Sequence, residues 1–168
     1  MRIRVRSEIG KLRAVIMQPP GKGIERCTPL NVQSLAWDAI PSPHKALEEH
    51  QAWVRAVRSS GADVFLFEDL LRDILGDPVA RTELVASIVE TERRFVAPRT
   101  LEALGEYLSE LAPTPLVETL FFGMTADELN GRTGSVSLSD LANPMSPWVL
   151  FPMSNVLYTR DPAAVVGD

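Results

Sequence analysis

A single cysteine, Cys27, rules out a disulfide within these 168 residues, which fits a reducing compartment and leaves the fold to be held by packing. Histidine is almost as scarce. His44 and His50 stand six apart, so on a helix they point to different faces and lack the i, i+4 spacing of a helical metal pair. With no cysteine or histidine cluster, no metal site is expected. Long apolar runs are missing too: no stretch reaches the length of a membrane-spanning helix, and the opening residues lack the apolar core of a signal peptide. The expectation is a cytoplasmic protein that does not engage a membrane. Nor is there an excess of positive charge. A net charge of −5 and a pI near 5.1 argue against a general nucleic-acid surface, because phosphates attract a positive field. Gly21-Lys22-Gly23 has neither the length nor the flanks of a phosphate-binding loop, and no internal repeat stands out.

What is present suits a water-soluble globular chain, with 45% hydrophobic residues, 23% charged residues and a mean hydropathy near zero. Arg2, Arg4 and Arg6 alternate with Ile3 and Val5, the pattern of a half-buried edge strand. Leu12 to Met17 is a short apolar run stopped by Gln18-Pro19-Pro20-Gly21, which predicts a buried strand feeding a loop. From Pro43 to Ser59, Ala46, Leu47, Trp53, Val54 and Val57 recur at helical spacing, with Gly61 as terminator. Asp63 to Phe67 then predicts a second strand. This strand-helix-strand order is that of a layered α/β unit with a crossover connection.

Beyond Asp69 the pattern turns helical. One apolar stripe runs through Leu70, Leu71, Ile74 and Leu75, another through Leu84, Val85, Ile88 and Val89, and a third through Leu101, Leu104, Leu108 and Leu111. Pro78, Pro98 and Pro113 punctuate them, and a small helical bundle is the expectation. Asn130 to Asn143, rich in Gly, Ser, Thr and Asp, is expected to form a mobile loop, with Trp148 to Leu150 restarting the sheet.

The densest chemistry lies in Pro152-Met153-Ser154-Asn155-Val156-Leu157-Tyr158-Thr159-Arg160-Asp161-Pro162. Asp161 offers two oxygens suited to a forked hydrogen-bond pair from a planar guanidinium. If the segment is extended, Tyr158 and Asp161 begin on opposite sides, and a bend at Arg160-Asp161-Pro162 is needed to bring them together. A strand-ending Arg-Asp turn with a local salt bridge fits the same residues without any ligand.

This segment resembles the Pro-x-Pro-Asn-(three residues)-Thr-Arg-Asp-Pro signature of arginine deiminases, and further stretches agree in order. Ser7 to Arg13 with Pro20-Gly21 is similar to that family's opening, and Thr28-Pro29 with Leu35-Ala36-Trp37-Asp38 to its next loop. Glu49-His50 with Gly61-Ala62-Asp63-Val64 resembles its first helix and second strand, and Gly123-Met124-Thr125 with Glu128-Leu129 the exit from its inserted helices. The resemblance implies an α/β fold, a partial pentein α/β-propeller of strand-helix-strand units with an inserted small α-helical bundle. Its expected divisions are 1–69 and 146–168 for the pentein part, 70–129 for the bundle and 130–145 for a flexible loop.

It also implies an N-terminal portion of a cofactor-free hydrolase that turns L-arginine and water into L-citrulline and ammonia through a cysteine nucleophile. That cysteine, with a histidine and two further carboxylates, belongs to a part of the family's chain beyond Asp161-Pro162, so this chain alone is expected to be inactive. By the same resemblance Asp161 is the catalytic carboxylate that holds the guanidinium, Asn155 contacts the amino-acid end of the substrate, and Tyr158 lines the slot where phenylalanine is usual. Ser154, Ala36 and Ala39 also depart from the family pattern. Those departures leave open another guanidino compound as substrate, an amidinotransferase, or a non-catalytic guanidinium-binding or regulatory module. A homo-oligomer or a complementing C-terminal chain are the macromolecular partners envisaged.

Cys27 has two readings. Arg26 beside it would favour a reactive thiolate, whereas a solitary cysteine most often packs as a small hydrophobe, and the core role is expected. His50 is expected as a helix residue hydrogen-bonded to its surroundings rather than a base.

Overall fold

The computed structural model describes residue 5 and residues 9–142 and 147–160. The expected edge strand around Ile3 lies outside them, apart from the exposed Val5, and so does Asp161. The chain divides into two compact units, Met1–Asp69 with Ser154–Asp168, and Leu70–Met153.

In the first unit, strand β1 (Ala14–Met17) leads into a single turn of helix, α1 (Lys22–Glu25), and a loop to helix α2 (Pro43–Ser59), which returns the chain to strand β2 (Asp63–Leu66). β1 and β2 pair in parallel, Ala14 opposite Asp63 through Met17 opposite Leu66, as the strand-helix-strand pattern predicts. Pro43 opens α2 at a position where its missing N–H costs nothing, and Gly61 at φ 86° accommodates the turn out of it. Met17, Ile24, Cys27, Leu35, Val54 and Ala62 form the buried apolar set.

The second unit starts within helix α3 (Phe67–Ile74), which follows β2 without a loop. Helices α4 (Pro78–Glu92), α5 (Pro98–Glu110) and α6 (Pro113–Phe122) come next, each opened by a proline. α6 has no counterpart in the stripes expected from sequence, because Pro113 read there as punctuation after the third stripe rather than as a helix start. Strand β3 (Met124–Thr125) pairs antiparallel with β4 (Trp148–Leu150), and between them lie α7 (Ala126–Thr133) and α8 (Leu138–Leu141). Leu104, Leu108, Leu116, Leu129 and Val149 are sealed in this core.

One feature of this unit differs from expectation. The run from Asn130, expected as a loop, is helical over most of its described length. Thr125 caps α7 by accepting the Glu128 N–H (3.2 Å) while the Glu128 carboxylate takes the Thr125 N–H (2.8 Å), and Gly134 ends the helix in the left-handed conformation. Ser137 N–H then bonds Thr100 Oγ1 (2.8 Å) and the Asp140 carboxylate accepts Ala97 N–H (3.1 Å), fastening the following residues to α5. α6 stops at Gly123, whose φ of 72° and ψ of −179° lie in a region essentially reserved for glycine. A Cβ there would stand 2.6 Å from Pro152 N.

Among the described residues the sheets are two separate two-stranded pairs, so the architecture is mixed α/β, rich in helix, with no closed propeller.

Candidate functional site

The end of β1 is held by Gln18, a buried amide. Its Oε1 accepts the Glu68 N–H (3.1 Å) and its Nε2 donates to the Glu68 carboxylate (3.5 Å) and the Pro19 carbonyl (3.3 Å), tying the exit of β1 to the start of α3. The loop after α1 is stapled by Asn31, whose Oδ1 accepts Thr28 N–H (2.7 Å) while its Nδ2 donates to the Arg26 carbonyl (2.9 Å). Trp37 N–H closes this loop onto the Val32 carbonyl (2.9 Å), and Ala36 sits at φ 59°. A left-handed alanine is strained, so surrounding contacts must hold it there.

Against this loop lies the segment singled out from sequence. It is not extended. Ser154–Leu157 form a 3-10 turn closed by Tyr158 N–H on the Asn155 carbonyl (3.1 Å), so the extended geometry considered for this segment gives way to a tight helical turn up to Tyr158. Three contacts fix the turn. Asn155 Nδ2 donates to the Leu35 carbonyl (3.2 Å), Thr159 Oγ1 donates to the Ile16 carbonyl (2.8 Å), and the Tyr158 ring meets Trp37 at 6.4 Å between centroids, tilted by 37°. Segments more than a hundred residues apart in sequence therefore converge at the C-terminal end of β1, the usual place for ligands in parallel α/β units.

Asn155 and Tyr158 are thus brought together on one turn. Asp161 follows in sequence but lies outside the described residues. Tyr158 is 51% exposed, whereas the Trp37 indole nitrogen is buried without a hydrogen-bond partner among the described residues. Leu35, Trp37 and Thr159 were not picked out as site residues. Leu35 and Trp37 fall in a stretch already similar to the family's loop, but the backbone bond from Thr159 carries no sequence signal.

Cys27 is buried, and burial pushes its thiol pKa up, away from a reactive thiolate despite Arg26 next to it. The core reading holds. His50 Nε2 is buried without a partner among the described residues, where a hydrogen bond was expected; the ring meets Trp53 edge-on at 6.1 Å, and burial lowers its pKa. His44 lies 3.8 Å from Glu48 on the exposed side of α2. Among the described residues no three histidine, cysteine or carboxylate side chains gather as a metal site, and no helix is long and apolar enough to cross a membrane.

The family model for arginine deiminase matches residues 33–168. Over 162 residues the chain is 38% identical to an arginine deiminase of Mycolicibacterium gilvum, covering 96% of this chain and 40% of that protein. Arginine deiminases of Rhodococcus erythropolis (37% over 164 residues) and Borrelia duttonii (33% over 165 residues) match 97% and 98% of this chain respectively, and each is covered to 40%. The chain spans about 40% of the length of these curated relatives. It belongs to the arginine deiminase family.

Proposed function

We propose that this chain supplies the guanidinium-holding part of a hydrolase that converts L-arginine and water to L-citrulline and ammonia in the cytoplasm. The observation that carries the reading is the anchored turn at 154–159: Asn155 and Thr159 are bonded to the backbone of Leu35 and Ile16, and the half-exposed Tyr158 stands three residues before Asp161 in sequence. The family match adds the substrate class.

In this reading Asp161 takes a forked pair of hydrogen bonds from the substrate guanidinium, a charge-assisted geometry no lysine-like ligand reproduces. Tyr158 lies along the ligand as an aromatic wall, favourable to a delocalised cation. Asn155 spends an amide hydrogen on Leu35, which fixes the side chain and leaves its oxygen to accept from the ammonium at the amino-acid end. Holding the guanidinium this way orients its carbon for thiolate attack; the C–N bond breaks, a proton is delivered to the departing ammonia, and water hydrolyses the covalent intermediate. The thiolate and its acid-base partner come from the remainder of a deiminase-length protein, where the two small sheets seen here would be parts of a pentein propeller. No cofactor is called for.

Cys27 supports this division of labour, since a buried thiol of raised pKa is unsuited to the attack. The test is a citrulline assay on the purified 168-residue chain with arginine. No product is expected. Citrulline formation abolished by Cys27→Ala would show that the nucleophile lies within these residues and overturn the reading.

A further inference from the structure

Tyr158 is half-exposed, and a ring with so much of its surface in water depends on its neighbours to hold it at one angle. The 3-10 turn fixes its backbone, and Asn155 and Thr159 are bonded on either side, but none of those bonds restrains the ring itself. Among the described residues the aromatic ring that meets it is Trp37.

A specific backbone closure delivers Trp37 to that place. Ala36 N–H donates to the Gln33 carbonyl (3.0 Å) and Trp37 N–H to the Val32 carbonyl (2.9 Å), with Ala36 left-handed at φ 59°. These two bonds make the Schellman arrangement, in which the residue after the left-handed one carries the accompanying apolar contact. Glycine is the usual occupant of the left-handed position, and an alanine there is strained. Two residues before Trp37, the Leu35 carbonyl accepts from Asn155 Nδ2 (3.2 Å). Loop and turn therefore touch twice, through Leu35 with Asn155 and through Trp37 with Tyr158.

The indole is sunk by its nitrogen edge, since Nε1 is buried with no partner among the described residues. An N–H buried without an acceptor is unfavourable, and a phenyl ring at the same place would carry no such donor. What the indole adds is reach. The two ring centroids stand 6.4 Å apart at 37°, near the outer limit of about 7 Å for paired rings, so a shorter side chain falls short.

We infer that Trp37 is a positioning residue for guanidine recognition: it holds the Tyr158 ring at the angle at which that ring lies along the substrate guanidinium. The inference rests on the guanidinium-holding role proposed for this turn and adds a residue to it. Trp37 acts through Tyr158 and touches neither substrate nor reacting atoms. Without it the half-exposed ring has to be ordered when the ligand binds, and the loss falls on binding. Because the ring serves ground state and transition state alike, KM rises and kcat stays.

The experiment uses the complete deiminase-length protein containing these residues, with citrulline formation from arginine measured for the parent and for Trp37→Leu, which keeps apolar bulk without a ring. KM is expected to rise about two- to twelvefold, the ordinary worth of an aromatic pair, at little-changed kcat. Trp37→Phe, which keeps a ring on a shorter reach, should fall between the two, and it decides the question if Trp37→Leu does not fold. In a Tyr158→Leu background the Trp37 substitution should raise KM no further, whereas with Asn155→Ala the two increases should multiply. A merely structural role would lower the melting temperature and the active fraction and leave KM alone. An unchanged KM in both Trp37 variants overturns the inference. So does an increase that persists in the Tyr158→Leu background or vanishes with Asn155→Ala, either of which assigns the effect to a route that bypasses Tyr158. A parent protein that forms no citrulline overturns the guanidinium-holding reading itself, and the inference with it.

Discussion

Replacing Gly123 with alanine puts a methyl group where the structure has no room and no permissible backbone angle. At φ 72° and ψ −179° a non-glycine residue carries a strain of roughly 1–3 kcal/mol. The new Cβ would also lie 2.6 Å from Pro152 N, and 2.9 Å from both Leu150 O and Pro152 Cα, all backbone atoms that cannot rotate aside. Relieving the overlap means pushing the end of β4 away from β3, at an overpacking cost of about 1–3 kcal/mol more. Together these predict a loss of about 2–6 kcal/mol, or roughly 4–24 °C in Tm for a chain of this length. Gly61→Ala is the control, since Gly61 also has positive φ, at 86°, but nothing lies within 4 Å of its Cβ position. Thermal and urea unfolding followed by circular dichroism measure both. If Gly123→Ala costs no more than Gly61→Ala, the argument from close approach is wrong.

Three further outcomes follow from the same structure. Cys27 should react slowly with a thiol reagent in the native chain at neutral pH and quickly in denaturant, and native labelling as fast as a free thiol would refute its burial. Thr125→Ala should destabilise the second unit by about 1 kcal/mol through loss of the capping box, read as a lower urea midpoint at unchanged slope. His50 has a folded pKa below its unfolded value, so the unfolded chain binds the extra proton and stability falls as pH drops through the ordinary histidine range. His50→Gln should reduce the fall in Tm between pH 7.5 and 5.5, and an unchanged pH profile would remove His50 from that account.

Legibility from sequence followed the strength of the local signals. β1, α2 and β2 carried clear periodicity bounded by Pro19-Pro20 and Gly61, and the parallel pair formed as that order requires. The helix at Pro113 was hidden because proline reads equally as a breaker and as a first helical residue. Composition misled at Asn130, where glycine, serine and threonine suggested a loop although Thr125 and Glu128 already spelled a capping box. At the site, Asn155 and Tyr158 were recognisable through resemblance to a family. Their tight turn was not, because the bonds that hold it run to backbone carbonyls of Leu35 and Ile16, which any residue would offer. The left-handed conformation of Ala36 likewise has no signature in an alanine.

The most direct test of the guanidinium-holding role compares the complete deiminase-length protein containing these residues with its Asp161→Ala variant, measuring citrulline formed from arginine alongside the melting temperature. The account predicts product from the parent protein, a loss of at least about a thousandfold in the variant from removal of the charged anchor, and little change in melting. A parent protein that forms no citrulline, or a variant that still turns arginine over at a comparable rate, would contradict it.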